Sequence, residues 1–136
     1  MKLFETFVAI DLETTGLDFD KDEIIEIALV RFVNGSVQES CDFLVKPTKA
    51  LRPFIEHLTG IDSETLTSAE DFPAIAEKVF SFIGDAPLVA HNAQFDFHFL
   101  KNAFAKVGVP FENHPVFDSL ALSRIAFQKV PNHKLE

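Results

Sequence analysis

Apolar residues dominate three consecutive stretches in the first third of the chain, and their spacing predicts strands. Phe7-Val8-Ala9-Ile10-Asp11-Leu12 is a nearly continuous apolar run, as in a strand covered on both faces, and the loop signal Glu13-Thr14-Thr15-Gly16 follows it. The second run, Ile24 to Phe32, puts Ile25, Ile27 and Leu29 on one face and Ile24, Ala28, Val30 and Phe32 on the other. Asn34-Gly35 then stands where a two-residue hairpin turn needs positive φ. Beyond it Val37, Cys41, Phe43 and Val45 alternate with Gln38, Ser40 and Asp42, a half-exposed strand returning antiparallel to its neighbour. Pro47 and Pro53 mark a loop leaving the sheet.

Helical spacing takes over afterwards. Phe72, Ile75, Ala76, Val79, Phe80 and Ile83 form one stripe, with Asp71 as N-cap and Gly84 as stop. Leu88-Val89-Ala90 reads as a short buried strand. It runs into a helix that starts near Asn92–Asp96, buries Phe99, Leu100, Ala103, Phe104 and Val107, and stops at Gly108. Val116-Phe117 is a last short strand, and Asp118 caps a helix carrying Leu120, Ala121, Leu122, Ile125 and Ala126. Three strands in a meander followed by alternating helix and strand predict an α/β domain. Its mixed sheet is antiparallel at the start and parallel where helices make the crossovers.

Composition narrows the class. The 136 residues are the length of one domain, with 47% hydrophobic and 24% charged content. No apolar run approaches the ~20 residues needed to cross a bilayer. Glu5 and Asp11 interrupt any signal-like stretch at the N-terminus, so a cytoplasmic protein is expected. A single cysteine, Cys41, excludes an internal disulfide, and the five histidines show no zinc-type spacing. All sixteen aromatic residues are Phe, and most fall on apolar faces, so they read as core. Twelve basic against 21 acidic residues give a net charge of −9, which argues against a grip on long duplex nucleic acid. The acidity either serves solubility or reflects carboxylates that converge on hard cations.

Asp11 and Glu13 stand two apart on a strand, so their side chains share a face about 6.5 Å apart along the backbone. Divalent cations are one occupant that would relieve their repulsion; a strand end emerging into solvent is the other reading. Asp96, in the first turn of a helix that follows a strand, lies where open α/β sheets gather ligands, although helix-dipole compensation would also suit it. Glu26, amid Ile24, Ile25 and Ile27, reads as a structural hydrogen-bonding acid.

These residues carry a resemblance. Phe7–Leu17 (FVAIDLETTGL) resembles the first signature of the DnaQ-like 3′→5′ exonucleases, which have four acidic metal ligands. Asp22–Ile27 (DEIIEI) resembles the segment that follows it, and His57–Ile61 (HLTGI) a helix-ending motif. Ala90–Leu100 (AHNAQFDFHFL) is similar to the second signature, and Val116–Arg124 (VFDSLALSR) to the next block. The resemblance implies a ribonuclease H-like fold. It assigns Asp11, Glu13 and Asp96 as metal-binding and catalytic acids. Thr14, Thr15, Gly16 and Leu17 become the loop along the terminal nucleotide, and His91 and Asn92 the flanks of the substrate groove. It further implies two divalent cations, Mg²⁺ or Mn²⁺, and hydrolysis of terminal phosphodiesters of single-stranded or frayed DNA to nucleoside 5′-monophosphates.

The third signature, a histidine base followed five residues on by the fourth aspartate, has no match. It belongs beyond the segment resembled by Asn132–Glu136, where an apparent helix start ends the chain. His133 and His91 occupy other positions in the pattern, and Asp118 suits a helix cap. A single exonuclease-like domain over residues 1–136, truncated before its last helix and feeble alone, is therefore expected. The implied partners are a single-stranded 3′ end and a DNA polymerase or helicase, as subunit or fused domain. The alternatives are an exoribonuclease trimming RNA 3′ ends and a catalytically incomplete binding module of the same fold.

Overall fold

The computed structural model describes residues 5–135. The reading of the N-terminal residues before Glu5, and of Glu136, lies outside them. Five strands form one mixed sheet in the order β3-β2-β1-β4-β5. β1 (Thr6–Thr14), β2 (Ile24–Val33) and β3 (Ser36–Leu44) make the antiparallel meander, while β4 (Leu88–Ala90) and β5 (Val116–Asp118) add in parallel. The hairpin between β2 and β3 turns on Asn34 at φ 50° and Gly35 at φ 79°, the left-handed pair that a two-residue connection requires.

Pleating sorts the sheet into two unlike faces. Val8, Ile10 and Leu12 of β1, with Ile27 and Leu29 of β2 and Leu88 of β4, point into the main core. Helix α3 (Phe72–Ile83) supplies Ile75, Val79 and Ile83 to that core, and α4 (Ala93–Lys106) supplies Phe99, Leu100 and Phe104. α3 is bounded as its sequence implies: the Asp71 carboxylate accepts from Ala74 N–H, and Gly84 N–H donates to Phe80 O. Arg31, at the end of this face, donates to the carbonyls of Phe82 and Ile83 and so ties α3's last turn to β2.

Several elements depart from the sequence reading. β1 runs on through Glu13 and Thr14, because both pair with β2 across a register shift, Glu13 with Glu26 and Thr14 with Ile24. A second register shift at Arg31/Phe32 opposes Phe32 to Val37, which moves Val37 away from the face of Cys41 and leaves it 61% exposed. Two short helices, α1 (Pro53–Thr59) and α2 (Ser63–Thr67), follow the loop at Pro47; periodicity gave no sign of them, although the HLTGI segment was read as a helix end, where α1 stops. Gly60 closes α1 at φ 73°, and the Asp62 carboxylate caps α2 by accepting from Thr65 N–H. Ile55 and Leu66 bury against Ile25 in a separate small cluster. The last helix, α5 (Ser119–Ala126), buries no residue: Leu122 and Ile125 are exposed. Residues 132–135 take no helical turn, and Lys134 N–H donates instead to the Asn132 side-chain oxygen.

Candidate active site

The second face of the sheet carries the acids of β1. Register pairs Ala9 with Val30, Asp11 with Ala28 and Glu13 with Glu26, so these residues share one side of the pleat. Small side chains there leave a groove of about 930 Å³ walled by Asp11, Ala28, Val30, Val89 and His91 on the sheet side and by Leu120 and Arg124 of α5 opposite. Glu26 is half-buried beside Glu13 and Asp42. Its pKa is raised, first by burial and then by Asp42.

Asp96 reaches this site from the core side. β4 pairs with β1 only at Val8 and Ala9, so the edge of β1 beyond that point is open to the first turn of α4. There Asp96 Oδ1 accepts from the backbone N–H of Leu12 at 3.0 Å, between Asp11 and Glu13 in the chain. The carboxylate substitutes for a missing sheet partner and is held by it. Asp96 is only 6% exposed, and burial, followed by the Asp11 charge and finally Glu13, pushes its pKa up to about 7 against the pull of the Leu12 hydrogen bond. Glu13 is raised as well, by burial and then by Asp11. Among the described residues no N–H, hydroxyl or basic side chain pairs with the carboxylate of Asp11 or Glu13.

The remaining sequence-identified residues flank these acids. Thr14 is buried, and its hydroxyl donates to Gly16 O. The Thr15 hydroxyl donates to Asp22 Oδ1 at 3.2 Å and accepts from Glu23 N–H at 2.9 Å. Leu17 stands 83% exposed at the tip of this turn. His91 lies on the groove wall with Nδ1 3.1 Å from Ser119 Oγ. Asn92 adopts φ 64° to turn β4 into α4, and its N–H donates to Asp118 Oδ1 at 3.0 Å. The same oxygen accepts from Leu120 N–H at 2.9 Å, so Asp118 caps α5 as expected and also pins the β4–α4 junction. His133 lines the groove but is engaged with Ser123 Oγ at 2.8 Å. Sequence reasoning gave no role to Asp22 or to Arg52, whose Nη2 donates to Thr15 O at 3.1 Å. The only hint of the first was its place in the DEIIEI segment.

The donor set suits a hard divalent cation. It consists of carboxylate oxygens, and among the described residues no lysine or arginine pairs with them. The cage is open: among the described residues no three His, Cys, Asp or Glu side chains approach closely enough to enclose an ion by themselves.

The RNase T family model, described as Exonuclease, matches residues 8–136. The chain is 39% identical over 131 residues to the PolC-type DNA polymerase III of Bacillus cereus, covering 96% of the chain and 9% of that protein. It is 40% identical over 132 residues to the 3′-5′ exonuclease DinG of Bacillus subtilis, covering 96% of the chain and 14% of that protein. The chain thus spans about a tenth of the one and a seventh of the other. In fold, it matches E. coli exonuclease I, solved in complex with a dT13 oligonucleotide, with a TM-score of 0.80. That match has 22% identity and covers 90% of this chain and 30% of the other. The structure of an ExoI/SSB-Ct complex gives a TM-score of 0.81 at 22% identity, over 93% of this chain and 31% of that one. The sheet order is therefore that of a ribonuclease H-like exonuclease fold. With residues 8–136 matched by the family model, this chain belongs to the RNase T exonuclease family.

Proposed function

We propose that this chain is a metal-dependent 3′→5′ exonuclease domain acting on single-stranded or frayed DNA ends and releasing nucleoside 5′-monophosphates. The observation that carries the reading is Asp96 at the edge of β1, buried beside Asp11 and Glu13, held by Leu12 N–H and without a cationic partner. A structural carboxylate in that position would have a cationic partner.

Asp11, Glu13 and Asp96 are the residues that would hold divalent cations, Mg²⁺ or Mn²⁺. Such ions, when bound, lower the pKa of an attacking water and offset charge on the departing 3′-oxygen. The protein's own part is positional. Leu12 N–H fixes the Asp96 carboxylate, and the Thr14–Leu17 turn presents an apolar tip to the terminal nucleotide. His91 and Asn92 border the path of the strand at the β4–α4 junction, held there by Ser119 and Asp118. An acidic chain can hold only a few nucleotides, which suits a frayed end better than a duplex. Resemblance to the exonuclease segments of a polymerase and of DinG supports work beside a polymerase or helicase.

The test is hydrolysis of a 5′-labelled single-stranded DNA with Mn²⁺ or EDTA. A ladder shortening from the 3′ end, abolished by EDTA and by Asp11→Ala, is the expected result. Faster cutting of the matching RNA would move the assignment to an exoribonuclease. Retention of the ladder in Asp11→Ala would overturn the assignment of the acids.

A further inference from the structure

The turn between β1 and β2 is built more tightly than a loop that merely joins two strands needs to be. Asp22 spans it: one carboxylate oxygen accepts from the Thr15 hydroxyl at 3.2 Å, the other from Asp18 N–H at 2.9 Å. Backbone bonds brace the same ring, from Thr15 N–H to Glu23 O at 2.8 Å and from Asp22 N–H to Asp18 O at 2.6 Å. Gly16 lies against this carboxylate, and a Cβ there would fall 2.6 Å from Asp22 Cγ and 2.7 Å from Oδ1. A side chain at Gly16 would therefore push the Asp22 carboxylate aside and loosen its hold on Thr15 and Asp18. The outer end of the turn is tied to the helix that bears Asp96: Phe19 stacks on His98 at 5.0 Å, and Asn102 Nδ2 donates to Phe19 O at 3.1 Å. Leu17 projects from the turn into solvent.

We propose that Asp22 is a positioning residue. By clasping Thr15 and Asp18 against Gly16, it holds Leu17 at a fixed place relative to Asp11, Glu13 and Asp96, and thereby sets the terminal nucleotide against the reacting groups. This rests on the exonuclease reading given above. Because misplacement by about 1 Å can cost about a hundredfold in rate, a clasp remote from the phosphate can govern turnover.

The experiment is a double-mutant cycle of Asp22→Ala and Leu17→Ala, read as kcat and KM for release of the 3′-terminal nucleotide in Mn²⁺. Hydrogen exchange is followed in parallel at the amides of Asp18 and Glu23. Asp22→Ala is expected to lower kcat about ten- to a hundredfold while leaving KM within about twofold. In a Leu17→Ala background it should cost less than about threefold, since the clasp then has nothing to place. Protection at Asp18 and Glu23 should fall while the amides of Val8 and Leu88 keep theirs. Asp22→Asn, which retains an acceptor oxygen, should restore part of kcat, and Gly16→Ala should add nothing to Asp22→Ala. An undiminished loss in the Leu17→Ala background, or unchanged protection at Asp18 and Glu23, would overturn the proposal. A wild-type protein inert toward every oligonucleotide, yet with the expected protection pattern, would instead overturn the functional reading beneath it.

Discussion

Asp96 is a costly residue to fold around: a buried carboxylate whose hydrogen bond to Leu12 N–H does not offset its loss of water or the charges of Asp11 and Glu13. Asp96→Asn keeps an oxygen for Leu12 and removes the charge. In EDTA it should stabilise the protein by about 0.5–2 kcal/mol, measured by chemical denaturation, while abolishing nuclease activity. Asp118 is the opposite case. One oxygen of its carboxylate serves both Leu120 N–H and Asn92 N–H, so Asp118→Ala should cost about 1–2 kcal/mol and loosen His91 and Asn92 together. A drop in stability with unchanged exchange at Asn92 would argue against that double role. In the core, Phe104→Ala removes a fully buried ring packed between α3 and the sheet and should cost about 3–5 kcal/mol.

At the scale of elements, the legible parts of the chain were those with enough repeats to show a period. β2, α3 and α4 stand where alternation and helical stripes put them, with Asp71 and Gly84 marking the ends of α3. α1 and α2 left no periodic trace because seven and five residues are too few for a stripe, so only the HLTGI motif pointed to a helix end there; each owes its place to one buried residue, Ile55 or Leu66, against Ile25. Val37 escaped because a single register shift inverts the face of everything beyond it. These two short helices are joined by Glu56, which accepts from the Ser63 hydroxyl and from Ser63 N–H. Those bonds lower the Glu56 pKa below its ordinary 4.5, the hydroxyl contributing first. A depressed acid contributes stability that is complete above its unfolded value and lost as pH falls below it, so the α1–α2 link should weaken only under about pH 4.5. NMR titration should place the Glu56 midpoint under 4.5, with Ser63→Ala moving it back up.

At the scale of the molecule, the division of the sheet into a packed face and an open one explains how a fold makes a site. α3 and α4 bury one face; small residues and acids occupy the other, with α5 leaning across it and leaving Leu122 and Ile125 exposed. The acids on β1 could be seen as a pair from their spacing, and α4's acid could be placed at a helix start. Their meeting could not be read from local pattern, because 84 residues separate Leu12 from Asp96, and only the family resemblance joined them in advance. Among the described residues no helix is long and apolar enough to cross a membrane. The central claim is that Asp11, Glu13 and Asp96 together hold divalent cations, and thermal unfolding followed by circular dichroism tests it most directly, since the chain has no Tyr or Trp. Mn²⁺ at about a hundred times its Kd should stabilise the wild-type protein by about 2.7 kcal/mol, raising its midpoint on the order of 5–10 °C. Asp11→Ala should show little or none of that shift. Equal shifts in the two proteins, or none in either, would contradict the assignment.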